Sequence, residues 1–484
     1  MKQCCLQRRL NRSSGMIIPI FILVSGFLGC AYFLFVCENI YNIALAFSWL
    51  LFTVILAILI EKRNDNLFEP IYLFSVMYIT GCFSTWYLIA TNFQTNKYVF
   101  LTEYEKPFTE LFNKCVYYYF IGYVAFILGY FLIKRNKTTK LMTFTSKNRL
   151  TDMHIKMVAF SCIILGFTNF FYNVYHFAGG DLLLYMKNIS LRDYEFQTGG
   201  TTIAYHFIVS GVYFIEFFYL RNNKKFDFKF YLLLFATIIA IGSVGRIYYT
   251  LAVVAVVIVL KYFYSYQKGN EKSVNKKLFF IGTLIMIFGI AFFLFRIITN
   301  FAVNGLIHES TGSFVKGQIE KIMYYAFDCG YTVNMAIFPK IVDAWNNEIG
   351  YLFGESFFTS LNSLFNTHLA VVSNVVRVTW FTGINDGNLP VTIIGDLFIN
   401  FGVFGIIIGM LVFGILTKTL YNIIEIKKSY WSILLYGIFI MHFVAIVAKC
   451  DFSNFPLFSL VFQSSMIFIL NAFGQIKLSM GDKA

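Results

Sequence analysis

Charge is scarce in this 484-residue chain: only 13% of its residues are Asp, Glu, Lys or Arg, and it has just 6 prolines. A soluble protein of this length divides into about three domains, each needing a polar surface. So little charge cannot supply one. The 9 cysteines (Cys4, Cys5, Cys30, Cys37, Cys82, Cys115, Cys162, Cys329 and Cys450) include no CxxC pair, which removes a zinc site and a disulfide scaffold from consideration. HExxH, GxxxxGK[ST] and GxSxG patterns are missing, as is any Cys/His cluster. Zinc hydrolysis, P-loop nucleotide binding and the serine-hydrolase elbow therefore have no footing. What is abundant is apolar: 58% hydrophobic residues, 20% aromatic with 59 Phe, and a mean hydropathy of +0.67. The bilayer is the solvent for such a chain.

Apolar runs near 16–36, 40–60, 68–91, 114–133, 154–175, 201–220, 229–242, 247–263, 277–296, 391–417, 430–447 and 455–474 predict an all-α polytopic integral membrane protein of about 12 transmembrane helices. The stretch from Lys229 to Phe263 is too long for one helix. Gly242, Ser243, Val244 and Gly245, followed by Arg246, predict a tight turn there. Of the 39 Lys and Arg residues, 27 fall on alternate connections and 12 on the others. By the positive-inside rule both termini are cytoplasmic. The net charge of +14 is then a topology signal, with no nucleic-acid partner implied. The first run has no small-residue cleavage site after it and reads as a retained anchor.

The chain reads as a single membrane domain, 1–484, without internal repeats. Three outer connections have substance: 92–113, a periplasmic loop at 176–200, and a large periplasmic loop at 297–389 between spans 9 and 10. In the largest, Val315, Ile319, Ile322, Met323 and Ala326 share one helical face, and Phe357, Leu361, Leu364 and Phe365 repeat the pattern. These amphipathic helices fit either a platform on the outer leaflet or caps on the bundle. The aromatic excess reads as lipid-facing and interfacial bulk.

Arg192, Arg246, Arg296 and Arg377 lie on the outward side. A guanidinium fork matches phosphate oxygens two at a time, so a lipid pyrophosphate would suit them; snorkelling to headgroups is the plainer use of such residues. Glu216 and Asp396 fall inside predicted spans, where a carboxylate is costly unless paired or facing water. Glu216, toward the cytoplasmic end, reads as structural, whereas Asp396 is expected to face a polar cavity. With Glu355 and His368, Asp396 makes up the set of candidate catalytic bases. Asp181, Asp193, Glu195 and Asp386 are further loop acids, and the lone pair Glu103 and Glu105 is too little to define a metal site. No cofactor is expected.

Three stretches carry a family resemblance: Gly179-Gly180-Asp181 through Leu191-Arg192 to Gly199-Gly200; the turn at 242–246; and Pro390 through Gly414. Together with the span count and the two outer loops, they resemble the bacterial O-antigen polymerases, the oligosaccharide repeat-unit polymerases called Wzy. The resemblance implies an inner-membrane enzyme. It moves a growing chain from undecaprenyl pyrophosphate onto a sugar hydroxyl of a new lipid-linked unit at the periplasmic face, with a chain-length regulator and a flippase as companions. A lipid-linked oligosaccharide flippase and an O-antigen ligase are the alternatives. The flippase is disfavoured by the missing internal repeats and the long outer loop, and the ligase differs mainly in its acceptor.

Overall fold

The computed structural model describes residues 2–36, 42–61, 69–75, 78–79, 107–133, 152–187, 202–222, 224–243, 257, 261, 338, 341–342, 350–357, 391–427, 430–440 and 463–466. Every regular element among them is a helix: α1 (Lys2–Phe35), α2 (Asn42–Glu61), α3 (Pro107–Leu132), α4 (Asp152–Ala178), α5 (Leu182–Lys187), α6 (Thr202–Arg221), α7 (Phe228–Ser243), α8 (Thr392–Lys427) and α9 (Tyr430–Phe439). Four stretches are long and apolar enough to cross a membrane: Asn42–Ile60, Lys114–Leu132, Asp152–Ala178 and Thr392–Asn422. The chain is a polytopic helical membrane protein. The runs near 247–263 and 277–296 lie outside the described residues, apart from Val257 and Lys261.

Helix ends follow local chemistry. Gly179 (φ 59°) and Gly180 (φ 92°) stop α4 in the left-handed region, and the Gly180 N–H reaches back to the Val174 carbonyl at 3.2 Å, the bond of a glycine C-cap. Asp181 Oδ1 then accepts the Leu184 N–H at 3.0 Å and starts α5. Asp227 does the same for α7, accepting the Phe230 N–H at 2.9 Å. The Tyr219 hydroxyl and that N–H hold the Asp227 carboxyl below its ordinary range. α7 ends at Ser243, inside the turn expected at 242–246.

Three helix pairs pack most extensively, α1 with α2, α3 with α8 and α4 with α6, and glycine lets each approach closely. A Cβ at Gly26 or Gly29 of α1 would strike Thr53 or Trp49 of α2; at Gly129 of α3 or Gly414 of α8 it would strike the facing backbone; at Gly211 of α6 it would meet the Ala159 carbonyl of α4. In lipid, such small-residue seams replace the hydrophobic drive that soluble helices have.

The buried residues form two main clusters. One joins α1, α2, residues 71–79, α3 and α8; the other joins α4, α6 and α7. α9 serves both, with Tyr436 and Phe439 in the first and Leu434 and Ile438 in the second. The aromatic reading needs a correction here. Tyr119, Tyr123, Phe126 and Tyr130 of α3, with Phe52, Phe74 and Tyr78, are wholly enclosed. Their rings meet one another, as in Phe74 with Phe126 at 3.9 Å between centroids. Interlocking aromatics fill the bundle as well as coating it.

Pairs that charge counting places on one side of the membrane do meet: Lys418 Nζ lies 3.1 Å from Glu69 Oε1, and Arg221 Nε lies 3.8 Å from Asp152 Oδ1. Tyr130 donates to the same Glu69 oxygen at 2.8 Å, and Lys418 also lies over the Tyr130 ring.

Candidate functional site: a helical hairpin and the segment that caps it

The apolar run at 391–417, expected as one span, is not one rod. At Gly402 the backbone turns to φ 66°, ψ −154°, a region open essentially to glycine alone. The two arms fold back on each other. Ile394, Ile406 and Met410 converge on Gly122 of α3, and Leu397 packs on Gly409. Along a straight helix residues 394 and 410 would stand about 24 Å apart. The short arm thus runs from Val391 to the tip at Gly402, and the long arm continues from the tip to Lys427.

The short arm begins inside the bundle, where Val391 and Thr392 are fully buried. Thr392 takes a positive φ of 61°. Its hydroxyl shares a 2.5 Å hydrogen bond with the Tyr119 hydroxyl and accepts the Gly395 N–H at 3.4 Å, which makes it the N-cap. Phe338, Ile341 and Val342, from the long connection 297–389, are wholly buried in this same cluster. That connection therefore contributes residues to the core.

The other end of the short arm is closed by residues 350–357 of the same connection. A helix terminus leaves its last carbonyls without partners. Here Leu352 N–H donates to the Ile399 carbonyl at 3.2 Å and Phe353 N–H to the Asn400 carbonyl at 3.1 Å. The Tyr351 hydroxyl fills the space where a side chain at 402 would begin. To donate in this way the capping segment turns through Phe353 (φ 49°) and Gly354 (φ 93°).

Side chains complete the join. Ser356 donates to Asp396 Oδ1 at 2.7 Å. The Asn400 amide nitrogen lies 2.7 Å from Ser356 Oγ and 3.0 Å from Asp396 Oδ1, and Asn400 Oδ1 accepts the Gly354 N–H at 2.8 Å. Asp396, Asn400 and Ser356 are all fully buried. The expectation that Asp396 faces a polar cavity is corrected: the side chain is fully buried, and its Oδ1 is held by Ser356 and Asn400. Glu355 is only half-buried, adjoining Ser356 in the turn Glu355–Phe357. Of the expected bases, Glu355 and Asp396 are among the described residues, and Asp396 is bonded to Ser356, the residue next to Glu355. His368 and the four arginines Arg192, Arg246, Arg296 and Arg377 lie outside the described residues.

Sequence reading missed Ser356, Asn400 and Thr392. The one available signal is the spacing of Asp396 and Asn400, which puts two polar side chains on one face of an apolar helix.

The polar-stapled hairpin and its strained cap, set in a many-helix membrane protein, join the helix Thr392–Lys427 to the long connection. A family model of O-antigen polymerases matches residues 47–449, and the chain belongs to that family. Membership places it in polysaccharide synthesis, with a glycosyltransferase-like polymerase activity on lipid-linked oligosaccharide. No curated protein and no solved structure matches it.

Proposed function

We propose that the protein polymerises undecaprenyl-pyrophosphate-linked repeat units at the periplasmic face of the bacterial inner membrane, within a fold of twelve spans and with both termini in the cytoplasm. The acceptor sugar hydroxyl attacks the anomeric carbon of the growing chain, and the bond from that carbon to the pyrophosphate breaks. The hydroxyl proton passes to a carboxylate, and the lipid pyrophosphate departs with the bonding electrons. Glu355 is the carboxylate we assign. Arg192, Arg246, Arg296 and Arg377 hold the leaving pyrophosphate, a task guanidinium groups perform as fixed cations without a metal.

Family membership supports the reaction class, and the capped hairpin supports the choice of base. The cap fixes the backbone just before Glu355 through hydrogen bonds from Leu352, Phe353 and Gly354 and ties down the next residue through the Ser356 hydroxyl, leaving the Glu355 side chain as the less enclosed of the two carboxylates. A group held this way needs little reorganisation at the moment of reaction.

The glycolipid ladder of a deletion strain tests the reading. A glycolipid capped with a single unit, restored to a full ladder by the intact gene, is expected. Polymer accumulating free on its lipid carrier would assign a ligase, and units stranded on the cytoplasmic face a flippase.

A further inference from the structure

The polymerase reading leaves one buried acid unused. Glu216 of α6 has no solvent exposure, and among the described residues neither carboxylate oxygen has a hydrogen-bond partner. It has company: the hydroxyls of Ser210 and Tyr213, also buried on α6, are likewise without partners among the described residues. Positions 210, 213 and 216 fall on one flank of the helix. Gln463 is likewise buried with both amide atoms unbonded, and it opens the short helical stretch whose Met466 packs on the same cluster as α6. Natural interiors leave few such atoms. A row of them beside a carboxylate points to something that comes and goes.

The neighbouring charges narrow what that is. Lys261 is the cation whose field reaches Glu216, and Tyr213 is the titratable group beside it. Lys261 also lies over the Phe226 ring, and several other described charged groups near α6 have partners of their own. Arg221 pairs with Asp152, Lys156 and Lys224 lie over the Phe218 ring, and Asp227 caps α7. A bound metal cation would need about six oxygens around one point. Ser210 and Glu216 are separated by roughly 9 Å along the helix axis, so a carboxylate and one hydroxyl are all that any single point can gather from α6. A proton has no such requirement. Taken up by the carboxylate, it removes the buried charge and turns an acceptor-only group into a donor for adjacent hydroxyls.

We infer that Glu216 is a proton-binding site within the membrane interior, taking a proton from water to become a neutral carboxylic acid and releasing it again along the polar flank formed with Tyr213 and Ser210. The site is independent of the polymerase reading. It gives the bundle a group that responds to the proton gradient across the membrane.

The test uses the full-length protein in phosphatidylcholine vesicles, treated with dicyclohexylcarbodiimide. This hydrophobic reagent takes the proton of a neutral carboxylic acid on one nitrogen and the carboxyl oxygen on its carbon. Mass spectrometry should find the adduct on the peptide carrying Glu216, with a yield falling at least about tenfold from the most acid to the most alkaline pH at which the protein stays folded. A water-soluble carbodiimide should label this peptide far less. The wild-type chain carries the test, so poor folding of a variant does not matter. Infrared difference spectra between the same two pH values give a second readout, a carboxylic-acid carbonyl band that Glu216→Gln abolishes. No adduct at any pH, a yield independent of pH, or preferential labelling by the water-soluble reagent would each overturn the assignment.

Discussion

At the scale of single residues, the two carboxylates of the hairpin site separate into different tasks, and substitution distinguishes them. Glu355→Gln keeps size and hydrogen bonding but cannot accept a proton, so it should arrest the ladder near one unit with protein abundance unchanged. Asp396→Ala instead strands Ser356 and Asn400 in a dry interior. Burying unsatisfied polar groups costs about 1–3 kcal/mol, so this variant should melt at lower temperature in detergent before any question of chemistry arises. A normal ladder from Glu355→Gln would remove it as the base. Arg192 has a comparable pair of tests: Arg192→Ala should lose chains beyond one unit, and Arg192→Lys should recover part, because the two-pronged fork is gone while the charge stays. Asp396 was legible in the sequence as a residue in need of a reason, since a carboxylate in an apolar run stands out, whereas Glu355 was one loop acid among several. Ser356 and Asn400 were not, because a lone hydroxyl or amide signals nothing until a partner is known.

Elements were legible where hydropathy and length decide them. α2 (Asn42–Glu61), α3 and α4 all overlap expected runs, with boundaries moved by caps such as the Gly179-Gly180 stop. The hairpin in α8 was invisible for a physical reason. Both arms are mostly apolar, the reversal uses the single residue Gly402, and the lone Asn400 near it does not make the cluster of turn residues that marks a reversal. Gly402 is consequently the position on which the element depends. Gly402→Ala forces an L-residue into a glycine-only conformation, at a cost of about 1–3 kcal/mol, and sets its methyl against the Tyr351 hydroxyl. It should lower the melting temperature and shorten the ladder, and Tyr351→Phe combined with it should relieve little, because the backbone term persists. On the opposite end, Lys418→Met should lower the melting temperature by leaving the half-buried Glu69 without its cation. The α6–α7 turn has its own pH dependence. The Asp227 carboxyl is held below its ordinary range, so its contribution is present above the unfolded-state value and lost as the pH falls through the folded-state one. Asp227→Ala should remove that acid-side dependence from detergent melting curves.

At the scale of the whole molecule, the many-span class was legible because composition alone forces it. The partnering of helices was not, because lipid tails and leucine side chains offer nearly the same surroundings and hydropathy does not record who faces whom. Aromatic residues were misjudged for the same reason, since a phenylalanine pays no penalty on either the lipid face or the core. The path of the connection 297–389 combines both kinds of information and yields the sharpest topological prediction. Charge counting sends that connection to the periplasm, while Phe338, Ile341 and Val342 within it are buried among α3 and α8. If both hold, the connection leaves the membrane on the outer side and dips back before the hairpin. Single cysteines in a cysteine-free background should show this in intact cells exposed to a membrane-impermeant maleimide. Gly305→Cys and Asp386→Cys should label from outside, Lys140→Cys and Lys272→Cys should label only after permeabilisation, and Ile341→Cys should resist labelling in both conditions. Outside labelling of Lys140→Cys would reverse the orientation and move the proposed chemistry to the wrong face. Ready labelling of Ile341→Cys would separate the connection from the core, and with it the physical basis for the capped hairpin as a preorganised site.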